Sequence, residues 1–175
     1  MTEKRSIASY RNHIAWGSFP RTFQDAILFT RKLGLQYLWI DSLCIIQDDL
    51  DDMGTEIGLM PLIYKHAQIT ISASSAKNCH EGFLGARPAP SNSECEDITL
   101  RYRRPDGHIG DIHLSEYHPY ESNEDPINTR AWTLQERLLS PRVLDYDVRQ
   151  LRWHCRSRRR FDGGFPDEIL EGENT

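Results

Sequence analysis

The chain reads first as an alternation of apolar runs and polar breaks. Tyr37-Leu38-Trp39-Ile40-Asp41-Ser42-Leu43-Cys44-Ile45-Ile46 is an apolar, β-favouring run that ends in the acidic turn Gln47-Asp48-Asp49. It predicts a strand over 37–46. Ahead of it, Phe23, Ala26, Ile27 and Leu33 share one helical face, and Gly34 supplies a stop. Thr22 offers a capping hydroxyl with Asp25 three residues on, so the helix is expected from Thr22 to Lys32. Behind the run, Met53, Ile57, Met60, Ile63, Tyr64 and Ala67 recur at helical spacing. The acidic stretch 48–52 suits the start of that helix, where negative charge meets the positive end of the dipole. Pro61 removes one backbone donor inside it and predicts a kink. Ile69-Thr70-Ile71-Ser72-Ala73 then alternates like a second strand. Strand, helix and strand make one βαβ crossover, which implies a parallel pair.

The remaining chain is punctuated by turns. Residues 1–21 lack periodicity and read as an irregular, extended lead-in. The segment from Asn78 to Glu96 is rich in Gly, Pro, Ser and Asn and reads as a long loop; Glu116 to Ile127 reads as a second, polar one. Ile98–Arg103 and His108–Leu114 flank Pro105-Asp106-Gly107, which signals a hairpin. A short helix is expected from Ala131 to Leu139, ended by Ser140-Pro141. Val143–Tyr146 and Leu151–Cys155 predict a second hairpin, and the polar residues 157–175 read as a loose tail. The expected architecture is one α/β domain: a parallel sheet with helices, plus two β-hairpins in the C-terminal half.

Composition narrows the classes. A chain of 175 residues suits one domain with a real core. A net charge of −5 argues against general affinity for nucleic acid. Arg156, Arg158, Arg159 and Arg160 form a local basic cluster that reads as part of the solvated tail. No apolar stretch approaches the ~20 residues that a bilayer requires, and no leader precedes the chain. A cytoplasmic protein with no membrane contact and no disulfides is therefore expected. The four cysteines, Cys44, Cys79, Cys95 and Cys155, form no CxxC pair, so no metal site is expected. Cys44 reads as a buried, reduced thiol. No glycine-rich phosphate loop of standard spacing occurs, and no cofactor is required.

Three places could carry chemistry. Glu56 falls on the apolar stripe of its helix, where desolvation raises a carboxylate's pKa; the plainer alternative is an ion pair at the stripe's edge. Asp41 and Ser42 interrupt the first strand and either cap nearby backbone or approach the rim where α/β sheets gather ligands. In Arg130-Ala131-Trp132-Thr133-Leu134-Gln135-Glu136-Arg137-Leu138-Leu139, a turn of about 100° per residue puts Gln135 in the middle of an apolar arc, flanked by Arg130 and Glu136. A buried amide there needs a polar network. The plainer alternative packs Trp132 in the core and leaves Arg130 on the surface.

Long blocks of this sequence resemble the fungal heterokaryon incompatibility (HET) domain family. They are Phe19-Pro20-Arg21-Thr22-Phe23-Gln24-Asp25-Ala26-Ile27; the run Tyr37 to Asp48 with Glu56, Met60, Tyr64 and Ala67; Ile69 to Ala73 with Gly82-Phe83; and Arg130 to Arg142. The resemblance spans roughly residues 14–156. Family members usually open with a strand carrying a Ser-Tyr-x-Trp-Gly motif. The resemblance implies that this chain starts just after that strand, an N-terminally incomplete domain with an exposed sheet edge. It implies a signalling module of non-self recognition and programmed cell death, acting through self-association or protein partners. It also implies a distant likeness to TIR domains, with a partial flavodoxin-like sheet. By that analogy Glu56 is the candidate catalytic residue of a glycohydrolase with NAD as substrate, and Asp41, Ser42, Arg130, Trp132, Gln135 and Glu136 shape its pocket. The third alternative is an inactive remnant.

Overall fold

The computed structural model describes residues 1–86, 98–114, 127, 133–148, 150–162 and 168–169. The lead-in is not irregular throughout: Ile7–Asn12 forms a short helix, α1, and Trp16–Ser18 a 3-10 turn. Helix α2 spans Arg21–Lys32. It starts one residue before the expected cap, because Pro20 holds the N-cap position with its fixed φ. It stops as expected: Leu35 N–H donates to the Thr30 carbonyl and Gly34 N–H to that of Arg31. Those two bonds close the helix end in a Schellman pattern.

The strand expected over 37–46 does not form. Residues 37–40 carry no regular structure, and Asp41–Cys44 makes one helical turn, α3. Leu43 N–H and Cys44 N–H both donate to the Ile40 carbonyl, and Ser42 N–H donates to the Asp41 carboxylate at 2.6 Å. Polar side chains that bond their own backbone compete with a strand ladder, and here the competition wins. Only Ile46 keeps a bridge, parallel to Thr2, whose hydroxyl also donates to the Leu43 carbonyl at 2.7 Å. Cys44 is exposed rather than buried, since α3 turns it outward.

Helix α4, Leu50–His66, has Asp49 as its N-cap, whose side chain accepts from Asp51 N–H and Asp52 N–H. Pro61 lies inside it. The crossover nevertheless fails, because its first strand is missing. The parallel pair is instead β1 (Thr70–Ser72) with β4 (Arg142–Tyr146), in the register Thr70↔Val143, Ile71↔Leu144 and Ser72↔Asp145.

Both expected hairpins form. β2 (Ile98–Arg103) and β3 (Ile109–Leu114) make a separate two-stranded sheet. β4 and β5 (Leu151–Cys155) make the other, with Asp145 opposite Arg152. The tail is not loose from its start. Arg158–Phe161 forms β6 against β5, and Glu168–Ile169 forms β7 against β6. Arginine stems tolerate a half-exposed strand, and the β5 edge supplies the backbone partners. The sheet is therefore mixed, in the order β1-β4-β5-β6-β7, and the fold is α/β. Helix α5 is Thr133–Leu139 and contacts α4.

The apolar core of the described residues is small: Ala26, Ile45, Phe83, Val143 and Leu144. Phe83 and Phe29 both meet the Tyr146 ring, with centroids 4.6 and 5.8 Å away. Several of the most enclosed side chains are polar, among them Asp25, Ser74, Asp145 and Asp147.

Candidate functional site

An apolar cavity of about 910 Å³ lies between the open edge of β1 and the extended residues 35–40. Its volume falls within the range of small-molecule sites. Phe23 and Ala26 of α2 contribute one wall, with Phe83 beside them; Ile63 and Tyr64 close the end of α4, and Glu136 reaches in from α5. Among the described lining residues there is one carboxylate and no lysine or arginine.

Tyr64 is its polar centre. The phenol donates a hydrogen bond to the Glu136 carboxylate, and the Trp39 ring meets it edge-on at 5.8 Å. Burial, then the Glu136 charge and that hydrogen bond, then the Asp41 charge, push the phenol above its ordinary range. Tyr64 is thus held as a neutral donor to Glu136.

Glu136 lines the cavity and accepts from Tyr64, whereas Asp41 lies outside the described lining and bears on the phenol only through its charge. Ser42 is half-buried one residue on, its carbonyl accepting from Thr2 N–H. Glu56 lies on the inward face of α4, half-buried, but two turns before Tyr64 and outside the cavity lining. Gln135 is exposed, not buried. Arg130 and Trp132 lie outside the described residues.

Gln135 faces out because α5 is turned about its axis relative to the expected arc. Leu134 and Leu138 are 66% and 74% exposed, while Arg137 points inward. Its guanidinium pairs with Asp145 at 3.1 Å and donates to the Ser74 hydroxyl at 3.1 Å. Arg152 joins the same Asp145 oxygen at 3.1 Å and reaches Asp147 at 3.3 Å. Ser74 donates to the other Asp145 oxygen and bonds Ser72 at 2.8 Å. This buried ionic cluster ties α5 to the sheet, which places Glu136 over the cavity.

The expectations from sequence missed the cluster, although a signal existed. Asp145 directly follows the apolar Val143-Leu144 within an expected strand, where a buried charge needs a partner, and the hairpin sets it across from Arg152. They also missed Asp25, which is fully enclosed and accepts from Phe83 N–H at 2.8 Å and Leu84 N–H at 3.0 Å, with Arg21 Nε 3.2 Å away.

His154 borders the ionic cluster and makes stability pH-dependent. Burial lowers its pKa from the ordinary 6.5; Asp145 opposes this, while Arg152, Arg159 and Arg137 add to it. The unfolded chain therefore takes a proton near 6.5 that the folded chain resists. Stability is full above that value and falls as pH drops below it toward the folded pKa. Thermal melts at about pH 7.5 and 5.5 should show a lower Tm in acid, and His154→Gln should shrink the difference.

The family model described as heterokaryon incompatibility protein (HET) matches residues 2–136, which include every described cavity residue but exclude Asp145, Asp147 and Arg152. No curated protein and no solved structure matches the chain. Among the described residues no helix is long and apolar enough to cross a membrane. With the matched segment running from α1 into the first turn of α5 and taking in the cavity, the chain belongs to the heterokaryon incompatibility (HET) family.

Proposed function

We propose that the chain is a signalling module of fungal non-self recognition and programmed cell death that works by self-association or contact with a protein partner. One observation carries this reading. The β2–β3 hairpin stands as its own sheet, and Leu100, Tyr102 and Ile112 on one face are 47%, 48% and 43% exposed. Leu100 sits directly opposite Ile112. A lone two-stranded hairpin is marginal in water, so an apolar face of this kind favours a protein cover.

Light scattering after sizing, at roughly 10–100 μM, tests the reading. Oligomers are expected, Leu100→Asp with Ile112→Asp should return the chain to monomer, and Glu56→Ala should leave the oligomer unchanged. A monomer at all concentrations, with no partner bound, would end it.

The alternative of an NAD glycohydrolase finds less support. Glu56 does not line the cavity, and the described lining offers no lysine or arginine to the diphosphate of NAD. Under the favoured reading, NAD consumption by the chain and by Glu56→Gln is equal and at background. A sharp near-UV signal would argue against an inactive remnant.

A further inference from the structure

A second cavity, of about 520 Å³, lies between the lead-in and α2. It is lined by His13, Ile14, Trp16, Phe19, Ile27 and Arg31, so four apolar side chains meet two nitrogen-bearing ones and no carboxylate. Ile27 and Arg31 share one face of α2, since residues four apart are neighbours on a helix. His13 follows α1 in extended chain, with φ −165° and ψ 139°. Trp16 opens the 3-10 turn and Phe19 caps it; their rings meet edge-on, with centroids 6.4 Å apart and planes at 68°. Gln24 of α2 fixes this aromatic corner, its amide donating to the Trp16 carbonyl at 3.2 Å and to the Phe19 carbonyl at 3.1 Å. Trp16 is nevertheless 43% exposed, although tryptophan is highly buried on average. Among the described residues, neither the Arg31 guanidinium nor the His13 imidazole has an ion-pair or hydrogen-bond partner, so both are available to a ligand.

We propose that this cavity binds a small aromatic carboxylate. Its volume falls in the range of small-molecule sites. The two rings and two isoleucines take the apolar body. Arg31 supplies a permanent positive charge with a fork of donors for the carboxylate, and His13 adds a ring N–H. A neutral apolar molecule would bury the same surface but leave those donors unused. A nucleotide fits less well, because its sugar hydroxyls would face Ile14, Trp16, Phe19 and Ile27 in a lining with no neutral polar side chain. A flat ring is favoured over an alkyl chain, since the aromatic corner presents one ring face and one ring edge, the two contacts that aromatic pairs prefer. The larger cavity disfavours the same ligand, because Glu136 lines it and its described lining has no lysine or arginine. The inference does not depend on the association reading, whose surface is the hairpin, so the two can fail separately.

NMR titration of the full chain with 2-naphthoate tests the proposal. Saturable binding is expected with a Kd of roughly 0.1–1 mM. 2-Naphthalenemethanol, the same ring system without the charge, should bind about tenfold more weakly, the worth of one charge-assisted contact, an arm that does not depend on any variant folding. Arg31→Gln should weaken 2-naphthoate by about tenfold and leave 2-naphthalenemethanol unchanged, a loss of charge preference that misfolding would not produce. Trp16→Ala should weaken both probes, and Arg11→Gln, outside the lining, should weaken neither. Resonances of 13–19 are expected to shift on binding, and those of 98–114 to stay in place. The proposal is overturned if no saturable binding occurs up to about 10 mM, if the alcohol binds as tightly as the acid, or if Arg31→Gln binds 2-naphthoate like the parent chain. Octanoate binding as tightly as 2-naphthoate would overturn the aromatic assignment, and AMP binding more tightly would overturn the carboxylate assignment in favour of a nucleotide. Leu100→Asp with Ile112→Asp should bind 2-naphthoate unchanged, so a failed association reading leaves this inference standing.

Discussion

Asp145→Ala is expected to lower the unfolding free energy by about 3–5 kcal/mol, the cost of removing one member of a buried ion cluster. The side chain is 2% exposed and one oxygen serves two guanidiniums, from Arg137 and Arg152, each 3.1 Å away. Alanine takes away the carboxylate those cations share and the acceptor of the Ser74 hydroxyl. Asp147 remains beside Arg152 at 3.3 Å, so the loss falls most heavily on Arg137. Because Arg137 ties α5 to the sheet, the variant should also free Glu136 from Tyr64. Urea unfolding measures the first effect as a lower midpoint. The second appears as increased exchange of the α5 amides below the global transition. A paired replacement separates charge from packing. Asp145→Leu with Arg137→Leu removes the carboxylate together with the cation that loses most, leaves Arg152 beside Asp147, and should cost less than Asp145→Ala alone, since apolar pairs of similar volume often replace buried ion pairs at little loss. Equal or greater loss in the double variant would mean that the cluster contributes net stability rather than offsetting its own desolvation.

The contrast between legible and illegible parts follows the kind of force involved. Helices α2 and α4 and both hairpins could be read because local signals and final structure agree: a Gly stop after Lys32, the acidic stretch 48–52 at the start of α4, and Pro105-Asp106-Gly107 between two runs. The stretch 37–46 was misread because apolar content was weighed above the local hydrogen bonding of Asp41 and Ser42. α5 was misread for the opposite reason. Its apolar arc is real, but a long-range partner, Asp145, turned the helix so that Arg137 lies inside and Leu134 and Leu138 outside. No periodicity within seven residues can report a carboxylate on a strand that follows. Of the candidate pocket residues, Glu136 lines the cavity and bonds Tyr64, whereas Asp41 and Ser42 lie outside the described lining, and Tyr64 itself is read from sequence only as part of the helix stripe.

Gly82→Ala is expected to destabilise by about 2–5 kcal/mol, adding a left-handed backbone cost of about 1–2 to an overpacking cost of about 1–3. Gly82 has φ +75°, and a Cβ built there would lie 2.5 Å from Asp25 Oδ2 and 2.6 Å from Arg21 Cγ. The Arg21 stem can swing aside, but Asp25 cannot. Its side chain is fully enclosed, and the contacted oxygen is the one that accepts from Phe83 N–H and Leu84 N–H. Moving it would strand two backbone donors, one of them on a core residue. Gly107 provides the control: φ is +87°, but nothing lies within 4 Å of its Cβ position. Gly107→Ala should therefore lose only the backbone part, about 1–2 kcal/mol. The gap between the two urea midpoints isolates the steric contact with Asp25. A gap near zero would show that the loop moves freely over α2, and that Asp25 does not hold it there.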